Sequence, residues 1–239
     1  MNYIFEPITD NSYALAVYDT SWNSYNNCYI IARNEDLIFI DAGKTEHIDV
    51  IVESLSKINK KPENVTYFIA THGHKDHIGG SLIFHNAKKI IHEKDFINLE
   101  QEIKSEFFPI EGEKYTLSIN DNILNIIHLG HHTPGSIAIY DYKTKALYIG
   151  DHICYFGDPL NEEGLVAKGL EFRQMAYDFI KNWIVNPQSV RLDGFDFFIE
   201  CLSSLLDYDI EFLCTGHGVV LRGDITSFLS ELVRLSTYK

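Results

Sequence analysis

A β-rich run, Val65 to Ala70, delivers the chain directly into Thr71-His72-Gly73-His74-Lys75-Asp76-His77, which sets His72, His74, Asp76 and His77 almost side by side. Residues two apart in an extended loop point the same way, so His72 and His74 can share one metal ion while Asp76 and His77 face a neighbouring one. The small Gly73 leaves room for an ion between the first pair. Borderline cations such as zinc accept imidazole nitrogen and carboxylate oxygen, and no thiol stands nearby in sequence to compete. A plain polar surface loop has no need of this density of imidazoles directly after a strand.

The rest of the chain repeats the pattern of a strand ending at a potential ligand. Tyr29 to Arg33 and Leu37 to Ile40 are β-rich runs around the hairpin turn Asn34-Glu35-Asp36. From Ile48 the apolar residues Ile51, Val52, Leu55 and Ile58 recur at three and four, which predicts a helix with one buried stripe. Ile123 to Leu129, Ile137 to Tyr140, Ala146 to Ile149 and Phe212 to Cys214 are further short strands, each followed by a turn with His, Gly or Asp. Two late helices carry stripes over Phe195 to Leu206 and Ile225 to Val233. No Pro-, Gly- or Ser-rich linker divides the chain, so the expectation is α/β: one domain, 1–239, of two similar halves with helices outside paired sheets.

Those later turns offer the ligands that the first loop lacks. His128-Leu129-Gly130-His131-His132-Thr133-Pro134-Gly135-Ser136 supplies three histidines, Gly150-Asp151-His152 a strand-end carboxylate, and Gly216-His217-Gly218 an imidazole between glycines. Singly, each has an ordinary reading as a hydrogen-bonded histidine or a turn aspartate. Together they resemble the metallo-β-lactamase superfamily, whose His-x-His-x-Asp-His motif precedes a later His, an Asp and a last His. The resemblance runs from Asn27-Cys28-Tyr29 and Asp41-Ala42-Gly43 to His217, most of the chain. It implies a four-layer αββα sandwich, with His72, His74 and His132 on a first metal, Asp76, His77 and His217 on a second, and Asp151 bridging both. His132 is preferred to His131 because it directly precedes Thr-Pro-Gly-Ser, the family's usual context. Asp41 matches a carboxylate that orients a ligand imidazole from behind.

Two divalent ions, expected to be zinc with iron or manganese as alternatives, could share a water and lower its pKa from ~15.7 toward neutrality. Asp76 could then hold and relay the proton. The bridging Asp151 resembles esterase, thioesterase, lactonase and phosphodiesterase members rather than true β-lactamases. The short stretch after His217 is expected to be too little for the helical glutathione-binding domain of glyoxalase II enzymes, though a glyoxalase II-like or lactonase-like group fits. Tyr155 to Arg191 is rich in apolar residues and reads as a partly helical cap or as an ordinary core helix with loops, and His152 and Tyr155 are candidates to donate a hydrogen bond to the substrate. The expected activity is hydrolysis of a small ester, thioester or lactone. A phosphodiesterase is the first alternative, and a mononuclear iron dioxygenase acting on persulfides, through His72, His132 and Asp151, the second.

Charge narrows the partners. With 34 acidic against 20 basic residues, the net charge of -14 repels phosphate backbones and anionic membranes, so a small-molecule substrate is expected, with neither nucleic acid nor membrane as partner. Met1 to Thr9 does not read as a signal peptide, and no run approaches the ~20 apolar residues of a membrane helix. Cys28, Cys154, Cys201 and Cys214 are widely spaced and read as buried thiols, which suits the cytoplasm. Oligomeric state stays open.

Overall fold

The computed structural model describes residues 1–120, 122–157, 160, 163–189 and 194–236. Seven strands form the first sheet in chain order: β1 (Tyr3–Thr9), β2 (Ser12–Asp19), β3 (Ser24–Arg33), β4 (Asp36–Ile40), β5 (Tyr67–Ile69), β6 (Lys88–His92) and β7 (Phe107–Ile110). The second sheet comprises β8 (Lys114–Ile119), β9 (Asn122–His128), β10 (Ile137–Asp141), β11 (Ala146–Gly150), β12 (Val166–Ala167), β13 (Phe212–Thr215) and β14 (Val220–Arg222), in the order β12-β14-β13-β11-β10-β9-β8. Each half opens with an antiparallel four-strand meander, β1 to β4 or β8 to β11. Each then adds a strand parallel to the last of the meander, β5 beside β4 and β13 beside β11. The two halves are alike in this sense.

A parallel neighbour requires a crossover, and helices supply it. Between strands of the first sheet run α1 (Ile48–Lys57), α2 (Lys75–Ile78), α3 (Glu93–Phe96) and α4 (Gln101–Lys104); the second half carries α5 (Leu170–Val185), α6 (Phe195–Ser204) and α7 (Ile225–Leu235). Because helices cover the outer faces, strands are buried on both sides and read as continuous apolar runs. In β4, Ile38 and Ile40 turn to the space between the sheets, while Phe39 packs with Val50, Ile51 and Leu55 of α1. In the second sheet Ile126, Ile139 and Tyr148 face inward, and Ile127, Tyr140, Leu147 and Ile149 face the layer of α5 to α7. The result is the four-layer αββα sandwich.

Two details depart from the sequence reading. Strand β3 begins at Ser24, well before Tyr29, because Asn26 and Asn27 are buried strand residues rather than loop. The cap segment contains one long helix, α5, whose Phe172, Ile180 and Trp183 join the core, so the ordinary core-helix reading holds for that face; Arg191 falls outside the described residues.

The sheets are also joined by a buried ion pair. Arg33 at the end of β3 reaches across to Asp141 at the end of β10 through both guanidinium arms, Nη1 to Oδ1 at 3.0 Å, and Nη1 also donates to Asn122 Oδ1 at 3.2 Å. Removing one partner would strand the other charge without water. Arg33→Met is therefore expected to destabilise the fold by about 3–5 kcal/mol, read as a lowered urea midpoint with the slope unchanged; a wild-type midpoint would contradict this account.

Candidate metal centre

The site forms where the carboxyl ends of β5, β11 and β13 meet between the sheets, and neighbouring backbones fix its loops. Register brings the pieces together: β11 runs parallel to β13 with Gly150 opposite Thr215, and Gly216 N–H donates to the Gly150 carbonyl at 2.8 Å. Asp151 and His217, the next side chains along, consequently meet. Gly216 has to be glycine here, since a Cβ would lie 2.0 Å from Asp151 Oδ1 and 3.0 Å from His77 Cε1.

The seven expected ligands converge. One donor atom each from His72, His74, His132 and Asp151 lie within 4.8 Å of one another, and so do those from Asp76, His77 and His217. Asp151 stands between the two sets. Its Oδ1 is 3.2 Å from His77 Nε2, and its Oδ2 is 3.4 Å from His132 Nε2, 3.3 Å from His217 Nε2 and 3.9 Å from His72 Nε2. The structure brings His132, not His131, into this cluster; His131 lies behind it against Phe198, and His128 stacks on His92 at 4.2 Å.

The imidazoles of His77 and His217 are each aimed by a hydrogen bond at the far nitrogen. Asp41 Oδ2 holds His77 Nδ1 at 2.8 Å, as expected of Asp41, and also accepts from the Thr71 hydroxyl at 2.7 Å, while its Oδ1 takes the Thr71 N–H at 2.8 Å. Asp41 adopts φ +53° to do so, a conformation costly for a residue with a Cβ and tolerated where surroundings fix it. The Tyr25 carbonyl accepts from His217 Nδ1 at 2.8 Å. With the Nδ1 edges occupied, Nε2 of both rings faces the cluster.

Three buried atoms there, His77 Nε2, Asp151 Oδ1 and His217 Nε2, have no hydrogen-bond partner among the described residues. A buried polar atom left unpaired costs about 1–3 kcal/mol, and several converging on one point mark a place for a cation. Five imidazoles and two carboxylates, without a backbone carbonyl, match a pair of borderline divalent ions. The residues thus fit two such ions.

Electrostatics agree. Burial works against the His77 imidazolium, but the carboxylates of Asp151 and Asp41 outweigh it and hold its pKa well above the usual histidine value. Burial likewise raises Asp151, yet His77 and His217 pull its carboxyl well below the ordinary range. His72 is pushed well below the usual value by burial and by His77, and His132 is lowered chiefly by burial. Both are therefore neutral, with a lone pair to offer.

Several contributors were not foreseen from sequence. Asp95, on α3, accepts from Gly73 N–H at 2.8 Å and the Thr133 hydroxyl at 2.6 Å through Oδ2, and from Gly135 N–H at 2.8 Å through Oδ1, so it ties the His72 loop to the His132 loop. Asn27 does the same for the last loop, donating to the carbonyls of Thr215 at 3.0 Å and Gly218 at 2.8 Å. Nothing in the local pattern of Glu93-Lys94-Asp95-Phe96 signals its role; Asn27 had only its place at the head of the family resemblance. Trp22 and Phe156 pack against His217 at 5.7 and 4.7 Å between ring centres.

A cavity of about 360 Å³ opens beside His132 and Asp151, walled by Phe156, Met175, Phe179, Ile180 and Leu232. His152 and Tyr155 line it as well. Their roles differ from the expectation. Burial and the neighbouring His131 drive the His152 pKa down to about 3, so its ring is neutral, and its Nε2 donates to the Phe198 carbonyl at 3.2 Å. The one remaining nitrogen, Nδ1, carries no proton and can only accept. Tyr155, raised by burial, keeps its phenolic proton, but its hydroxyl oxygen is itself buried and has no hydrogen-bond partner among the described residues.

A family profile described as the metallo-beta-lactamase superfamily matches residues 22–217. The chain belongs to that superfamily, which binds a dinuclear metal centre. An uncharacterised protein of Methanocaldococcus jannaschii is 25% identical over 222 residues, covering 90% of this chain and 53% of that protein. A hydroxyacylglutathione hydrolase of Haemophilus influenzae is 24% identical over 146 residues, 52% of this chain and 65% of its own length. Among solved structures, a flavo di-iron protein mutant from Thermotoga maritima superposes with a TM-score of 0.77 at 20% identity, over 98% of this chain and 62% of that one, which shows the shared fold. The chain spans about half the length of most of the curated relatives it matches. No helix among the described residues is long and apolar enough to cross a membrane.

Two measurements test the centre. Elemental analysis of zinc-loaded protein is expected to give about two ions per chain, and His217→Ala should weaken the second far more than the first; loading that never exceeds one ion would refute the paired site. Because His77 is held protonated at neutral pH and a ligand imidazole must be deprotonated, loading at pH 7 should release roughly one proton per chain from it, and affinity should fall as pH drops. Titration with a pH indicator in weak buffer reads both, and loading without proton release would count against the His77 assignment.

Proposed function

We propose that the chain is a dinuclear metal-dependent hydrolase of a small ester, thioester or lactone, acting as one metallo-β-lactamase-fold domain. The observation that carries this reading is the apolar cavity of about 360 Å³ that ends at His132 and Asp151. Space of that volume equals roughly a dozen water molecules at ~30 Å³ each, room for a small acyl compound. Its walls give an acyl chain favourable burial, and among the described residues they offer a phosphodiester backbone no lysine or arginine. The net charge of -14 points the same way.

In this reading His72, His74 and His132 hold one ion, Asp76, His77 and His217 the other, and Asp151 both. Zinc is the proposed metal, because imidazoles and carboxylates suit it. When bound, the ions polarise the scissile carbonyl and acidify the attacking water. The chain's own groups do the remainder. Met175, Phe179 and Ile180 seat the apolar part and exclude water from it. Asp76 Oδ2, 3.6 Å from His217 Nε2 and 3.8 Å from His77 Nε2, is placed to take the proton of the attacking water and pass it to the leaving group. The hydroxyacylglutathione hydrolase among the relatives supports a thioester among the candidate substrates.

A second reading, iron with redox rather than hydrolytic chemistry, is favoured by the likeness to the Thermotoga flavo di-iron protein. One experiment separates the two. Stripped protein reloaded with zinc or with iron is assayed on short acyl esters, acyl thioesters, lactones, phosphodiesters and single-stranded RNA. The highest kcat/KM is expected on acyl compounds with zinc, lost on chelation, and reduced by about 10²-fold or more in Asp151→Ala. Metal-dependent cleavage confined to phosphodiesters or RNA would overturn the acyl assignment, and hydrolytic inertness with zinc alongside iron-dependent redox turnover would put the second reading in its place.

A further inference from the structure

We propose that Cys154 is an additional ligand of the second metal ion, beside His217 and Asp151. This inference rests on the reading of the site as a metal centre. Cys154 Sγ, an oxygen of Asp151 and a ring nitrogen of His217 all lie within 4.8 Å of one another. Ligand atoms lie ~2.0–2.3 Å from their ion, so three sharing one ion stand roughly 3–4 Å apart, a spacing that this cluster approaches. The same two residues carry the buried, unpartnered atoms Asp151 Oδ1 and His217 Nε2 described above.

The backbone holds the sulfur in place. Beyond Asp151 the chain turns, and Tyr155 N–H donates to the His217 carbonyl at 3.1 Å, which locks Cys154 alongside the residue whose imidazole it would join. The sulfur interacts with the Asp151 carboxylate and receives the backbone N–H of His217. An N–H donor to sulfur, outside the coordination sphere, is the partner a thiolate ligand requires.

The other cysteines have different surroundings. Cys28 and Cys214 are packed in the two inter-layer cores, and Cys201 donates to the Leu129 carbonyl at 3.0 Å from its place in α6. Cys154 alone of the four lines the cavity. A thiolate here would make the second site softer than the first, and so favour zinc over manganese at that position. The thiol was invisible to a search near the His72 loop because it arrives from the turn after β11, far along the chain.

The test uses intact protein loaded with cobalt(II), and with zinc for X-ray absorption. Wild type with two cobalt ions per chain is expected to show a near-ultraviolet thiolate-to-cobalt charge-transfer band that grows in with the second equivalent and is missing from Cys154→Ser. The zinc form should show one sulfur scatterer at ~2.3 Å shared between two ions, a reading that needs no variant. Cys154→Ser should bind the second ion roughly 10–100-fold more weakly. Two bound ions with no sulfur at bonding distance and a spectrum unchanged by the substitution would overturn the ligand while leaving the metal centre standing. Failure of wild type to bind either ion would overturn both.

Discussion

The carboxylate of Asp151 lies buried at the seam between the two sheets, and the arrangement of the whole centre follows from the need to compensate it. Desolvating an isolated carboxylate is far too costly for a fold of ordinary stability. Here His77 lies 3.2 Å away and His217 3.3 Å away, from opposite halves of the chain. Without an ion, His77, whose pKa is held well above the usual histidine value, is the counter-charge. With ions bound there, the same oxygens would face cations instead and the proton would leave. Either way the positive charge has to come from both halves, which couples the seating of the sheets on each other to the chemistry between them.

Compensation works only if the imidazoles are held, and the holding is done by buried polar groups one layer further out. Asp41 fixes His77, the Tyr25 carbonyl fixes His217, Asp95 pins the loops of His72 and His132 to each other, and Asn27 secures the loop of His217. Asp41 follows β4, Tyr25 and Asn27 lie in β3 and Asp95 lies in α3; what they hold are turns after strands, where backbone N–H and C=O groups run out of ladder partners and accept side-chain ones. A loop so tied is preorganised. Its histidines need no reordering when a ligand arrives, so less binding free energy is lost to side-chain entropy.

The legible part of this site was its donors. Imidazoles and carboxylates at strand ends carry a spacing signal, and His132 could be picked from three histidines by the Thr133-Pro134-Gly135-Ser136 that follows. The layered fold was legible for the same reason its strands are: β4, β10 and β11 are buried on both faces and so are apolar without interruption. Strands β6 and β8 were harder, since Lys88-Lys89 and Lys114 to Ser118 mix charge and polarity at sheet margins. The supporting groups were hidden because a lone Asp or Asn acts through contacts remote in sequence: Asp95 lies 38 residues from Thr133 and Asn27 lies 188 from Thr215. The role of His152 was misread for a local reason. Whether an imidazole donates depends on which nitrogen its neighbour occupies, and the Phe198 carbonyl is supplied by a helix 46 residues on.

The surroundings of the two donor sets are unequal, and this constrains how any substrate can approach. On the His217 side, the rings of Trp22 and Phe156 pack against the imidazole, and Lys44 sits 5.1 Å from the Trp22 ring. Beside His132 and Asp151 the wall falls away into the cavity under α5 and α7, lined by Met175, Phe179 and Leu232, with Met175 and Phe179 on the same face of α5 that carries Phe172 and Trp183 into the core. In the proposed reading a bound molecule would lay its apolar part along α5 and present its polar end at Asp151, between the two sets. One apolar stripe of α5 then borders both the core, through Phe172, Ile180 and Trp183, and the cavity, through Met175, Phe179 and Ile180. This is why the segment reads from sequence as both cap and core: the same stripe meets both.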